Sequence, residues 1–184
     1  MKNFELNTIA SREIYKALIS GKIINEYEYL NGELSSSAKF NELTNNIDQY
    51  RNLYSLLGFE IKSLSGEAFF ITRLDRQEEF TEAAANIQTV LLMISRGLTT
   101  RGISPQILFD LAGGVRERDV DSIGEDEDIA KILQACGISL PLTKSVNSLL
   151  VERGVFYKVG IDRYMLSSSG KVLFNRLFER EDKK

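Results

Sequence analysis

Histidine is missing from all 184 positions of this chain. Its absence removes Ser-His-Asp and Cys-His nucleophile systems, His-ligated zinc, and any general base that titrates near neutrality without perturbation. Carboxylate and lysine chemistry stay open, and the densest place for it is the run from Asp110 to Asp128, which holds eight acids. The run lacks the DxDxDG spacing of a calcium loop, so it reads as a solvated loop rather than a divalent-cation site or an acidic docking surface. No GxxxxGK[ST] loop is present, no GxGxxG follows a strand, and Gly113-Gly114 falls where it ends a helix. The single cysteine, Cys136, excludes an internal disulfide and fits a reducing cytoplasm. Four positions from Ile132 on an apolar face, it reads as a small core residue. The expectation is a protein with no catalytic residues, no cofactor and no metal.

Lysine and arginine offer a different chemistry, contact with phosphate. Residues 144–184 hold nine bases against five acids, a balance of +4, while the whole chain carries a formal charge of −3. A protein that relies on phosphate neutralisation alone is normally basic overall, so strong independent duplex binding is disfavoured. Lys144, Arg153, Lys158 and Arg163 are the candidates for a weaker DNA contact; taken singly, each reads equally well as a solvated surface charge. Tyrosine is favoured at protein interfaces, and Tyr27, Tyr29, Tyr50 and Tyr54 form a cluster. Tyr50 and Tyr54 are at core spacing, which leaves Tyr27 and Tyr29 as interface candidates, together with Phe80 and Ile87.

The elements that must position these residues recur. Residues 50–72, YRNLYSLLGFEIKSLSGEAFFIT, and residues 146–167, VNSLLVERGVFYKVGIDRYMLS, each read as an amphipathic helix, a glycine and two short strands. At an offset of 96, Leu53 aligns with Leu149, Gly58 with Gly154, Ile61 with Tyr157, and Lys62 with Lys158. Each copy is the helix-plus-wing half of a winged-helix domain. The expected fold is therefore mainly α with small β-hairpins, an α+β chain of two tandem winged-helix domains, at residues 1–75 and 76–184.

Within the first, a helix spans about 7–20 and stops near Gly21, and KIINEYEYLNG ends at the turn dipeptide Asn31-Gly32. A longer helix follows from Ser37 to Leu57, with Phe40, Leu43, Ile47, Tyr50, Leu53, Tyr54 and Leu57 at helical spacing. Gly58 supplies a left-handed cap, and strands Phe59–Lys62 and Ala68–Thr72 flank Ser65-Gly66. In the second, Asp75 caps a helix running to about Arg96, with a stripe of Phe80, Ala84, Ile87, Leu91 and Ile94. Ser104-Pro105 opens a helix over Gln106–Ala112, and GGVRERDVDSIGEDED reads as a loop with a mobile middle. Helices at about 126–136 and 143–153 lead to strands Val155–Val159 and Arg163–Leu166, and a last helix covers Ser169–Arg180.

Composition agrees with a globular chain: 43% hydrophobic and 27% charged residues, with no apolar run near the roughly 18–20 residues that cross a bilayer. The start, MKNFELNTIASRE, lacks the features of a signal peptide, so the protein is expected to stay where it is made.

The order SGKIINEYEYLNGELSSSAKFNELTNNIDQYRNLYSLLGFEI, GEAFFITR, EAAANIQTVLLMISRGLTTRGISPQILFD and VNSLLVERGVFYKVGIDRYMLSSSGKVLF resembles the MukE/MksE family over about residues 8–178. These are the kleisin-interacting tandem winged-helix subunits of bacterial condensin-like complexes. The resemblance implies a homodimer without catalysis that binds a kleisin and, through it, an SMC-type ATPase that organises and segregates chromosomes. It also implies a cytoplasmic, nucleoid-associated protein whose second winged-helix domain can face DNA. The chain ends soon after its last helix, without an extended acidic tail, which favours the shorter MksE-like branch; a related branch acts in plasmid defence. The competing reading is a winged-helix transcription regulator whose helix at 143–153 enters a major groove, with Lys144, Ser145, Asn147 and Ser148 as contacts.

Overall fold

The computed structural model describes residues 6–75 and 82–179, and the chain divides into two compact units, residues 1–79 and 80–184. Both units combine helices with a small antiparallel sheet, so the chain is α+β.

In the first unit, α1 (Thr8–Ile19) begins at Asn7, whose side chain accepts from the Ile9 and Ala10 amides and so satisfies two of the otherwise unpaired N-terminal donors. Strand β1 (Ile24–Asn25) leads into a two-stranded ribbon, β2 (Tyr27–Leu30) and β3 (Glu33–Ser36), joined by Asn31-Gly32. Both turn residues have positive φ, 52° and 89°, as a two-residue hairpin turn demands. Helices α2 (Ala38–Asn45) and α3 (Ile47–Leu56) precede the hairpin of β4 (Phe59–Leu64) and β5 (Ala68–Arg73). β1 pairs with β5, Ile24 opposite Phe69, which gives a three-stranded sheet in the order β1-β5-β4. The core is drawn from every layer: Ile14 and Leu18 of α1, Phe40 and Leu43 of α2, Tyr50 and Tyr54 of α3, and Ile61 and Phe69 of the sheet.

The expected single helix over Ser37–Leu57 is two helices. Asn46 leaves helical geometry at φ −124°, ψ 27°, and its side-chain amide donates to the backbone oxygen and the carboxylate of Glu42. Asparagine competes with the helix for backbone groups in this way. The apolar stripe continues across the break, so periodicity alone does not reveal it.

The second unit opens with α4 (Glu82–Thr100), which runs four residues beyond the expected end at Arg96. The expected cap at Asp75 and the stripe residue Phe80 involve residues 76–81, outside the described residues; the Asp75 carboxylate itself is held by Arg73 at 2.8 and 2.9 Å. Ser104 caps a 3-10 turn, Pro105–Phe109, shorter than the helix expected to reach Ala112. The segment expected to be a mobile loop is instead β6 (Val115–Arg116) followed by α5 (Glu117–Gly124), with Val120, Ile123 and Gly124 buried. Its acids are where helix starts want them: Glu117 and Asp119 in the first turn of α5, and Asp126 as the cap of α6 (Glu127–Ala135). Cys136, expected in the core, is exposed at the end of α6, just before the chain reverses at Gly137 with φ 71°.

The expected helix at 143–153 is a short α7 (Leu142–Val146) that widens into a π-turn over Asn147–Val151. The hairpin β7 (Phe156–Val159) and β8 (Arg163–Leu166) follows, and α8 (Ser168–Glu179) closes the described chain. β6 pairs with β8, Val115 opposite Tyr164, giving the order β6-β8-β7. Gly114 permits that pairing: its φ is 87°, and a Cβ there would lie 2.5 Å from the Tyr164 carbonyl oxygen. Both units therefore repeat one more feature than the sequence repeat shows, a short early strand laid on the second strand of the hairpin.

Candidate interaction surfaces

Two surfaces gather the candidate residues. In the second unit they surround the β7–β8 hairpin and the α7 segment. Lys158 on β7 donates to Glu117 Oε1 at 2.6 Å, and the Tyr164 hydroxyl donates to the same oxygen at 3.0 Å. The side-chain amide of Asn147, at the start of the π-turn, lies 3.1 Å from that hydroxyl. The near atom of that amide is its Oδ1, so the single phenolic proton serves two acceptors, the Glu117 carboxylate and the Asn147 side-chain oxygen. The Lys158 and Tyr164 hydrogen bonds hold the Glu117 carboxyl below its ordinary pKa, while burial and Glu117 together raise that of Tyr164. Asp121 accepts from the backbone and hydroxyl of Thr143 at 2.8 and 3.1 Å, tying α5 to α7.

Arg163 is likewise used within the unit. Its guanidinium donates to the carbonyl oxygens of Ala112 and Gly113 at 2.7 and 2.8 Å, bracing the turn ahead of β6. Lys144 is exposed on α7, and Arg153 is half-buried in the turn before β7. Of the four DNA-contact candidates, then, Lys158 and Arg163 have internal work. The network of Glu117, Asn147 and Tyr164 carries no spacing signal, because its members lie 30 and 17 positions apart and only the fold brings them together.

In the first unit the surface is the β2–β3 ribbon. Glu28 anchors it: the Ser37 hydroxyl donates to its carboxylate at 2.6 Å, and Lys39 approaches at 2.9 Å. Burial works to raise the Glu28 pKa, and the Ser37 and Lys39 contacts outweigh it, so the carboxyl sits below its ordinary value. Tyr27 is 39% exposed and Tyr29 half-buried, whereas Tyr50 and Tyr54 are buried in the core as their spacing indicates. Ile87 is half-buried on α4, and Phe80 lies outside the described residues. Strands β2 and β3 were not read from the sequence, although the Asn31-Gly32 turn between alternating residues is the signal for such a hairpin.

A further depression of about 360 Å³ lies between α4, the 3-10 turn and α8, lined by Ser95, Ser104, Pro105, Gln106, Phe174, Asn175 and Phe178. None of these side chains ionises. Among the described residues no group of His, Cys, Asp and Glu is arranged to hold a metal ion, and no helix is long and apolar enough to cross a membrane.

Comparison with protein-family models finds one that matches residues 10–178, described as condensin complex protein MksE. A search of curated proteins finds no match.

Proposed function

Because this chain belongs to the MksE family of condensin complex proteins, we propose that it is a non-enzymatic subunit that binds the kleisin of an SMC–kleisin complex. Through that kleisin it acts with the SMC-type ATPase in chromosome organisation and segregation, at the nucleoid in the cytoplasm, as a homodimer. The observation that carries this reading is the extent of the family match, which takes in both units and not one of them.

Each unit is read as a winged-helix domain, the first within residues 1–75 and the second within 76–184. The support is the shared order of a long helix, a short early strand, further helices and a hairpin whose second strand takes the early strand. Tandem units of this kind serve assembly when they present rigid faces to partners. The half-buried Ile87 and the partly exposed Tyr27 and Tyr29 are proposed partner contacts, and Lys144 and Arg153 a weak auxiliary contact to DNA.

Light scattering on the purified protein, alone and mixed with a purified kleisin from the same cell, tests the reading. A dimer that joins the kleisin and persists through high salt is expected, because an apolar interface is not screened. Protein that stays monomeric and leaves the kleisin unbound would sink the proposal, and a sequence-specific operator bound at nanomolar affinity would put a regulator in its place.

A further inference from the structure

We propose that the outer edge of β3 is a docking edge on which an extended, uncharged segment of the kleisin adds as a third strand of the β2–β3 ribbon. The inference rests on the assembly reading above and names the surface that serves it. Among the described residues the ribbon has no counterpart in the second unit, where β6 leads straight into α5. The ribbon is an addition to the repeated plan. None of its side chains is among the buried residues of the first unit's core cluster.

Alternation of side chains gives the ribbon two unlike faces. Tyr27 stands opposite Ser36 and Tyr29 opposite Leu34, so one face carries two tyrosines, a leucine and a serine, with no charge. Glu28 and Glu33 point the other way, where Ser37 and Lys39 hold Glu28.

Backbone phase decides which groups face outward. The two-residue turn makes Leu30 and Glu33 a hydrogen-bonded pair, and every second pair repeats it: Glu28 with Ser35, then Glu26 with Ser37. The Ser37 N–H bonds to the Glu26 carbonyl at 2.8 Å, in the same phase. The N–H and C=O of Leu34 therefore point away from β2, along an edge where no strand pairs among the described residues. Edge strands are ordinarily protected by proline, lysine or a bulge. β3, with the sequence ELSS, has no proline, lysine or bulge, and its one charge, Glu33, stands beside the turn.

Size and charge select the occupant. A stable dimer interface needs about 800 Å² from each partner. A face two strands wide and four residues long offers on the order of 130 Å² in projection. That is too little for a second copy of the chain and suits one added strand, with backbone bonds for affinity and alternating apolar side chains for specificity. The Glu28 anchor and the Asn31-Gly32 turn hold the ribbon in shape beforehand, which lowers the ordering cost of binding.

The probe is the purified kleisin, titrated against the wild-type chain, Leu34→Pro and Tyr29→Ser. Leu34→Pro deletes the outward donor and spares the ladder, whose inward N–H groups belong to Glu33 and Ser35, and proline is tolerated on an edge. Thermal unfolding of both variants checks that they fold. Leu34→Pro is expected to bind at least about tenfold more weakly, a factor worth 1.4 kcal/mol. Independently of any variant, the Leu34 and Ser36 amides of the wild-type chain are expected to exchange more slowly in the complex. A complex that forms with unchanged affinity for the folded variants and unprotected 34 and 36 amides overturns the docking edge and leaves the assembly reading standing. No complex at all overturns both. Protection of those amides that grows with protein concentration in the absence of kleisin overturns the kleisin as occupant in favour of a second copy.

Discussion

Two tyrosines one turn apart on α3 share a core and have opposite polar surroundings. The Tyr50 hydroxyl is 2.8 Å from the Ser11 hydroxyl and donates to Glu42 at 3.2 Å. The Tyr54 hydroxyl is buried with no hydrogen-bond partner among the described residues, and burial raises its pKa well above that of a free phenol. A buried hydrogen bond is worth about 1 kcal/mol net, and an unpaired buried hydroxyl costs a similar amount or more. Tyr50→Phe is therefore expected to lower stability by about 1 kcal/mol, while Tyr54→Phe leaves it unchanged or raises it. Urea unfolding of the two variants decides the matter; a loss for Tyr54→Phe as large as that for Tyr50→Phe would show that its hydroxyl has a partner. The core positions of both were legible from their spacing. The difference between them was not, because it depends on Ser11 and Glu42, which only the packing of α1 and α2 on α3 brings near.

At the scale of elements, local signals were legible where one residue type fixes one conformation, and failed where composition stood in for geometry. Gly58, at φ 81°, and the β4–β5 and β7–β8 hairpins lie where the glycine and the alternating strands indicate. The acidic run after Gly114 was read by its charge as a loop, yet Val120 and Ile123 lie three apart on α5 and are both fully buried. A solvated loop and an acidic amphipathic helix share a composition; the apolar spacing and the acids in the first turn tell them apart. α5 is held on several sides. Its Gly124 packs so closely on α7 that a Cβ would meet Leu142 Cβ at 2.8 Å, and Asp121 binds Thr143. Amide exchange at Val120 and Ile123 is therefore expected to be slow, tracking opening of the whole second unit rather than the fast exchange of a free loop. Exchange within seconds at neutral pH would mean that the helix is not formed in solution. The break at Asn46 and the π-turn at Asn147 are the complementary failures, both at asparagines inside an apolar stripe that continues past them.

For the whole molecule, the decisive quantity is charge that is both net and available. A formal charge of −3 repels a phosphate backbone, and the +4 balance of residues 144–184 offsets this only locally. The structure reduces that local balance further, since Lys158 is matched by Glu117 at 2.6 Å and Arg163 is turned onto backbone carbonyls. Lys144 and Arg153 are then the proposed phosphate contacts on this surface. Two contacts correspond to a slope of about −2 in log K against log salt for duplex DNA, with binding by the protein alone weaker than about 1 μM at physiological salt. Lys144→Glu together with Arg153→Glu is expected to remove that binding without unfolding the protein, because neither side chain braces the fold as Lys158 and Arg163 do. Anisotropy of a labelled duplex across a salt series measures both slope and affinity. A slope near −6 would require bases outside this surface and would make DNA a direct ligand of the chain. A slope near −2 that the double substitution abolishes would instead mean that this chain by itself offers DNA only a small electrostatic contact, through Lys144 and Arg153.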